Sequence, residues 1–169
     1  TLGSCSALRI GFGSSTLSEI GNAEVDAKSV KNIEIDWAAG SVDITTHSNG
    51  DKIMLTESSS GGLSRAQEMR WQVNGSTLKI DDGSSFGCMN FSQKHLEISI
   101  PQSLAKEMGT VDVDGASGNY AVEGIEGTSF IVHLAAGSVN ATNMVVEDLD
   151  LQAASGHAFV EGEVSGKVR

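Results

Sequence analysis

Four histidines, a serine framed by glycines and two closely spaced aspartates are the side chains whose types could do chemistry. The histidines stand at positions 47, 95, 133 and 157. A zinc site needs ligands that converge, and short C-x-x-C or H-x-x-x-H spacings usually announce it. Neither spacing occurs, and His133 and His157 sit at different offsets from the glycines described below. Gly83-Ser84-Ser85-Phe86-Gly87 matches G-x-S-x-G. A nucleophile elbow also needs a strand before it, a helix after it and a later Asp and His on an α/β sheet. No helix pattern follows Gly87, so the match reads as chance in a chain rich in Ser and Gly. Asp112 and Asp114, with a loop, could hold an isolated calcium ion. Calcium-binding solenoids, however, carry a G-G-x-G-x-D nonapeptide that is missing from this chain. β-Helix lyases need acids beside Arg or Lys, and Val111 to Val164 contains neither base. Trp37 and Trp71 could form a carbohydrate platform, but Trp37 alternates with Ile33 and Ile35 and is expected in the core. The expectation is a non-enzyme with solvated histidines, no catalytic, cofactor-binding or metal-ligating residue, and no need of calcium to fold.

The elements behind these residues are set by a repeat. Gly118, Gly137 and Gly156 are 19 residues apart (137−118 and 156−137). Each follows a pair of small residues: Ala116-Ser117, Ala135-Ala136 and Ala154-Ser155. Seven and five positions before them stand Val111/Val113, Phe130/Val132 and Leu149/Leu151; two and four after stand Tyr120/Val122, Val139/Ala141 and Ala158/Val160. Alternation of period two on both sides is the strand signature. Each unit therefore reads strand, tight turn, strand, connector, with Gly supplying the turn. Ile33 to Ile44 is a further copy around Gly40, which lies 118−40 = 78 residues before Gly118. The interval holds three strand-like runs, Ile53–Thr56, Leu78–Ile80 and Leu96–Ile100, expected to form about one coil each. A repeat of this kind means stacked units sharing one long core.

The predicted fold is all-β: a right-handed β-helix-like solenoid with roughly 19-residue coils and longer loops in its middle. A sandwich of short strands is the alternative. Gly40, Gly118, Gly137 and Gly156 are the expected turn glycines. Val132 and Val139 are expected to point inward, Ile131 and Ser138 outward. The outward columns Asp112, Ile131, Asp150 and Glu123, Thr142, Glu161 separate two acids by a neutral residue, as stacked like charges require.

Composition narrows the function classes. The 169 residues suit one domain, residues 1–30 forming an N-terminal cap segment and 31–169 the solenoid. Twenty-two acids against 11 Lys and Arg give a net charge of −11, which argues against nucleic acid or an anionic membrane surface as partner. No apolar run reaches the length of about 18 residues needed to span a bilayer, so direct membrane insertion is not expected. Thr1 in place of a start methionine suggests a trimmed chain. Leu2-Gly3-Ser4-Cys5 loosely resembles a lipobox, which would acylate Cys5. Cys5 and Cys88 can equally be one disulfide or two free thiols. Ser58–Gly62 and Asp81–Ser92 read as loops, and Leu63–Arg70 as a helical turn capped by Ser64. Pro101 ends the strand before it.

The strings IEIDWAAGSVDIT, VDVDGASGNYAVEGI, FIVHLAAGSVNATNM and LDLQAASGHAFVEGEV resemble the strand, SGD-like turn, strand units of the bacterial putative-adhesin domain family, a domain of unknown function. LEISIP resembles its strand ending in Pro. The resemblance covers residues 30–169. The Asp of the SGD-like turn is replaced by Ser41, Asn119, Ser138 and His157, so no shared chemistry is expected of those positions. The resemblance implies a β-helix-like solenoid outside the cytoplasm, at the cell surface or envelope and often beside a membrane anchor. The expected function is adhesion, scaffolding or interaction with an unknown protein or glycan partner. The alternative is an envelope sensor or accessory domain whose loops recognise a ligand; a glycan-active enzyme ranks last.

Overall fold

A computed structural model describes residues 17–83 and 93–169. The chain is all-β. Its strands are β1 (Glu19–Ile20), β2 (Ala23–Asp26), β3 (Asn32–His47), β4 (Lys52–Ser59), β5 (Arg70–Asn74), β6 (Thr77–Asp81), β7 (Lys94–Pro101), β8 (Met108–Glu123) and β9 (Glu126–Val164). Helical structure among the described residues is a 3-10 turn, Ala27–Ser29, and a short helix α1, Gln102–Ala105. Cys5, Cys88, Leu8, Ile10, Phe12 and the G-x-S-x-G run from Ser84 onward lie outside the described residues.

Strands β3, β8 and β9 stack in parallel. Ile33 faces Val111, and Val111 faces Phe130; Gly40 faces Gly118, and Gly118 faces Gly137. A Cβ on Gly156 would run into the carbonyl oxygen of Gly137, so the fourth glycine joins the same column. The inward rows are apolar throughout: Ile33, Val111, Phe130, Leu149; Ile35, Val113, Val132; Val42, Tyr120, Val139; Ile44, Val122, Ala141. Val132 and Val139 are buried, while Ile131 and Ser138 are half-exposed. These side chains belong to one continuous core. Each fully buried aliphatic side chain stabilises the fold by roughly 1.5–3 kcal/mol. Each strand level therefore gains most of its stability from the levels stacked against it.

The expected tight turn at each glycine is a corner inside a continuous strand. Trp37 and Val42 are both buried yet five positions apart, an odd number that plain alternation would place on opposite faces. The phase changes at Gly40, where φ is +116°, and the parallel ladder resumes at Ala39–Ser117. A side chain at Gly118 or Gly137 would be strained by the positive φ and would overlap the backbone of the glycine on the neighbouring strand. A second column, Gly124, Asn143 and Gly162, repeats at the same spacing, and Asn143 holds a φ of +53°. Asn is among the few residues with side chains that tolerate this region.

Packing across the layers is complementary in volume. Trp37, fully buried, stacks over Gly115. Gly115 leaves the space that the Tyr120 hydroxyl fills, and this hydroxyl donates to the Trp37 carbonyl at 2.8 Å.

Two expectations need correction. The interval between Gly40 and Gly118 does not contain three coils, because β3 pairs directly with β8. On the other edge of β3, β6 covers Asn32–Asp36 and β7 covers Ser41–His47, so the two together occupy one level. The remaining strands turn antiparallel: β5 on β6, β4 on β7, β2 on β4 and β1 on β5. Distance along the chain counts residues spent on hairpins and loops; ladder hydrogen bonds decide which strands touch. Secondly, acids are not spaced out everywhere. Glu34 stands opposite Asp112 and Asp36 opposite Asp114, so the neutral spacer seen between Asp112 and Asp150 is missing at the β3–β8 boundary.

Smaller expectations concern the loops. Ser64 begins a single turn in which its backbone carbonyl accepts from Gln67 N at 2.7 Å and its hydroxyl reaches the Gln67 side chain at 2.8 Å. Pro101 is the last residue of β7 and stands at the N-cap of α1. Residues 17–30 contribute β1, β2 and the buried Val25, Ala27 and Val30.

Candidate functional site

The outward positions of β6, β3, β8 and β9 form two rows across the parallel sheet. One reads Lys79, Glu34, Asp112, Ile131; the next reads Asp81, Asp36, Asp114, His133. Neighbouring strands lie about 4.8 Å apart, so side chains in a row are in contact range. Lys79 Nζ pairs with Glu34 at 2.7 Å and closes one end of the first row. Four carboxylates, Glu34, Asp36, Asp112 and Asp114, occupy the square that remains.

Repulsion and burial leave their mark on the titration of this square. Burial, reinforced by the charges of Asp82, Asp114, Asp81 and Glu34, pushes the Asp36 carboxyl up to about 6. Burial also raises Asp112, with Asp114 adding to the effect and His133 opposing it. His133 Nδ1 lies 3.1 Å from Asp114 Oδ1. Asp112 Oδ1 and His133 Nε2 are shielded from solvent and have no hydrogen-bond partner. One donor atom from each of Asp112, Asp114 and His133 falls within 4.8 Å of the other two.

The remaining histidines do not converge. His47 Nε2 is 2.9 Å from the Lys52 carbonyl oxygen. His95 Nδ1 is 2.7 Å from Ser41 Oγ, with its Nε2 3.6 Å from Asp43. His157 is exposed near the end of β9. Trp37 is core, and Trp71 is partly buried against the same core. Sequence comparison of the histidines with one another hides the signal that matters. His133 stands four before Gly137, as Asp114 stands four before Gly118, so the repeat itself makes them neighbours.

A second charged group is internal. The side chains of Lys94 and Glu57 are 9% and 2% exposed, and their charged atoms are 2.5 Å apart. Lys94 Nζ also donates to the carbonyl oxygens of Gln67, at 2.7 Å, and Asp82. It lies 4.9 Å from the centre of the Trp37 ring, a cation–π distance. Glu57 Oε2 accepts from Met69 N at 2.8 Å. The pair thereby ties β4, β7 and the turn before β5 to the widest side chain of the core. Its signal was present in the alternation. Lys94 shares the parity of Leu96, Ile98 and Ile100, and Glu57 that of Ile53 and Leu55.

Among the described residues, the outer edge of the last strand level is paired at Leu149–Leu151 and exposed beyond it. Residues of its inward rows, Ala153 and Ala158, are exposed, and Phe159 is 57% exposed. The segment after β9 pairs in parallel with Leu149–Leu151, with Leu149 N donating to the Lys167 carbonyl at 2.7 Å. No described helix is long and apolar enough to cross a membrane.

Residues 30–169 match the model of the family described as Toastrack DUF4097. A solved structure from Clostridium sporogenes, described as that of a "putative cell adhesion protein", is similar over 89% of this chain and 97% of that one, at 10% identity and a TM-score of 0.46. No curated protein matches the chain.

Proposed function

Since the chain belongs to the Toastrack DUF4097 family, we propose that it is a β-solenoid and works as a non-enzymatic adhesion, scaffold or interaction module of the cell envelope, outside the cytoplasm. The observation that supports this reading is the glycine-aligned register of β3, β8 and β9, which builds outward ladders over a shared core. Stacked repeats of this kind offer extended, rigid surfaces, and recognition is what such surfaces are used for. Beyond the paired Leu149–Leu151, exposed residues 152–159 of the last strand level, Phe159 among them, offer a setting in which a partner can add a strand. A protein or glycan is the partner class, and the acidic surface disfavours polyanions.

The test combines location with activity. Antibody against the chain should label intact cells of the source organism. The purified chain, presented to a glycan array and to envelope protein fractions, should retain a component and leave it chemically unchanged. Labelling only after cell lysis, or turnover of a bound glycan, would overturn the proposal.

A further inference from the structure

We propose that Asp112, Asp114 and His133 form a binding site for one first-row divalent metal ion of the zinc type. The proposal stands on side-chain geometry and is independent of the interaction role above. Three features carry it. The donors are of two kinds, two carboxylates and an imidazole, and they come together within 4.8 Å. His133 Nδ1 and Asp114 Oδ1 are 3.1 Å apart. Two ligands that each sit about 2.0–2.2 Å from a shared zinc ion at a near-tetrahedral or right angle are separated by about 2.8–3.6 Å, which the present hydrogen-bond distance already satisfies. Finally, Asp112 Oδ1 is turned away from solvent with no donor to satisfy it. A buried acceptor without a partner is costly, and a cation removes that cost.

The backbone supplies the preorganisation. Asp112 and Asp114 are alternate residues of β8 and share a face; His133 is the ladder partner of Asp114 on β9. All three positions are therefore set by parallel pairing over a packed core rather than by a loop. Three protein ligands leave room for a water molecule or a donor from a partner, as in open zinc sites. The donor set also decides the class of ion. Calcium takes six to eight oxygens, whereas imidazole with carboxylate suits zinc and its transition-metal neighbours. Glu34 already has Lys79 as its counter-ion and is not needed as a ligand.

The experiment is calorimetric titration of the metal-stripped full chain with Zn²⁺, repeated with Ca²⁺. One equivalent of Zn²⁺ should bind, and more tightly than Ca²⁺. Asp114→Asn and His133→Gln should each weaken binding by about tenfold or more, while Glu34→Gln and His157→Gln should leave it intact. Co²⁺ should give a visible absorption band that His133→Gln removes. Circular dichroism checks the fold of each variant. Should His133→Gln fail to fold, the ring-nitrogen shifts of histidine in the unaltered chain decide: Zn²⁺ must move those of His133. Absence of Zn²⁺ binding at millimolar concentration overturns the proposal. Binding that ignores His133, or several equivalents of Zn²⁺ and Ca²⁺ held alike, assigns the effect to counter-ions of the acidic face and overturns it equally.

Discussion

Asp36 shows how a single side chain reports its neighbourhood. Its carboxyl titrates near 3.8 in an unfolded chain and near 6 in the fold, because burial and surrounding carboxylates disfavour the charge. Below the lower value both states are protonated and the group is neutral towards stability. As pH rises through this window the unfolded chain releases the proton first, so the fold loses stability; the loss is complete above the upper value. With chelator present, Asp36→Asn should therefore melt with the parent at about pH 3.5 and higher than the parent at about pH 7.5. Equal melting at both pH values would remove the carboxylate square from the energetics. Packing is tested at the same scale. Val132 is buried and Ser138 half-exposed on the corner that follows. Val132→Asp should abolish cooperative melting, since an unpaired carboxylate would be placed in the core, and Ser138→Asp should be nearly neutral. Similar melting of the two variants would mean that the inward register is wrong.

At the scale of elements, two devices hold the strands in place. The glycine column lets stacked strands approach until a Cβ would collide with the neighbouring backbone. Gly137→Ala should lower the melting temperature sharply, by several degrees or more, whereas Gly62→Ala, at a site with open space and no positive φ, should change little. A tolerant Gly137 would mean that β8 and β9 are not in backbone contact there. The Lys94–Glu57 pair is the other device, locking antiparallel β4 to the level formed by β6 and β7. Removing one member strands a charge in a dry setting, at a cost of about 3–5 kcal/mol. Lys94→Met also leaves the Gln67 and Asp82 carbonyls short of a donor, so denaturant unfolding should shift by an amount in that range. A shift under about 1 kcal/mol would place the pair in solvent.

For the whole molecule, stacking makes a deletion experiment decisive. Deleting 130–148 removes one 19-residue period and carries Leu149 to the place of Phe130, against Val111. The chain should remain cooperative but less stable, having lost one layer of core. Asp112 would gain Asp150 as its neighbour, and Glu123 would gain Glu161. The exposed Glu123–Glu161 contact costs a few tenths of a kcal/mol or more, and less at high salt, and the half-buried Asp112–Asp150 contact costs more. Deleting 130–147 shifts the ladder by one residue and turns apolar rows outward, so that variant should not fold. If the first deletion unfolds, or the second melts as well as the first, coils are not interchangeable layers.

The 19-residue period, the strand type, the inward rows and the four turn glycines are all written locally. Alternation and small residues at a fixed spacing express the two faces of a strand and the room needed at a corner, and neither depends on distant chain. Lys94 and Glu57 could have been read as inward from the same parity, and His133 as the neighbour of Asp114 from their common offset. What the chain does between Gly40 and Gly118 was not legible. Runs such as Ile53–Thr56 look alike whether they add to a stack or turn back as hairpins, because strand pairing is chosen by hydrogen bonds between segments far apart in sequence. That choice set Glu34 against Asp112 and Asp36 against Asp114 and thereby created the acidic square. The period told which residues face out; only the tertiary register, a product of long-range backbone pairing over a common core, decided which charges meet there.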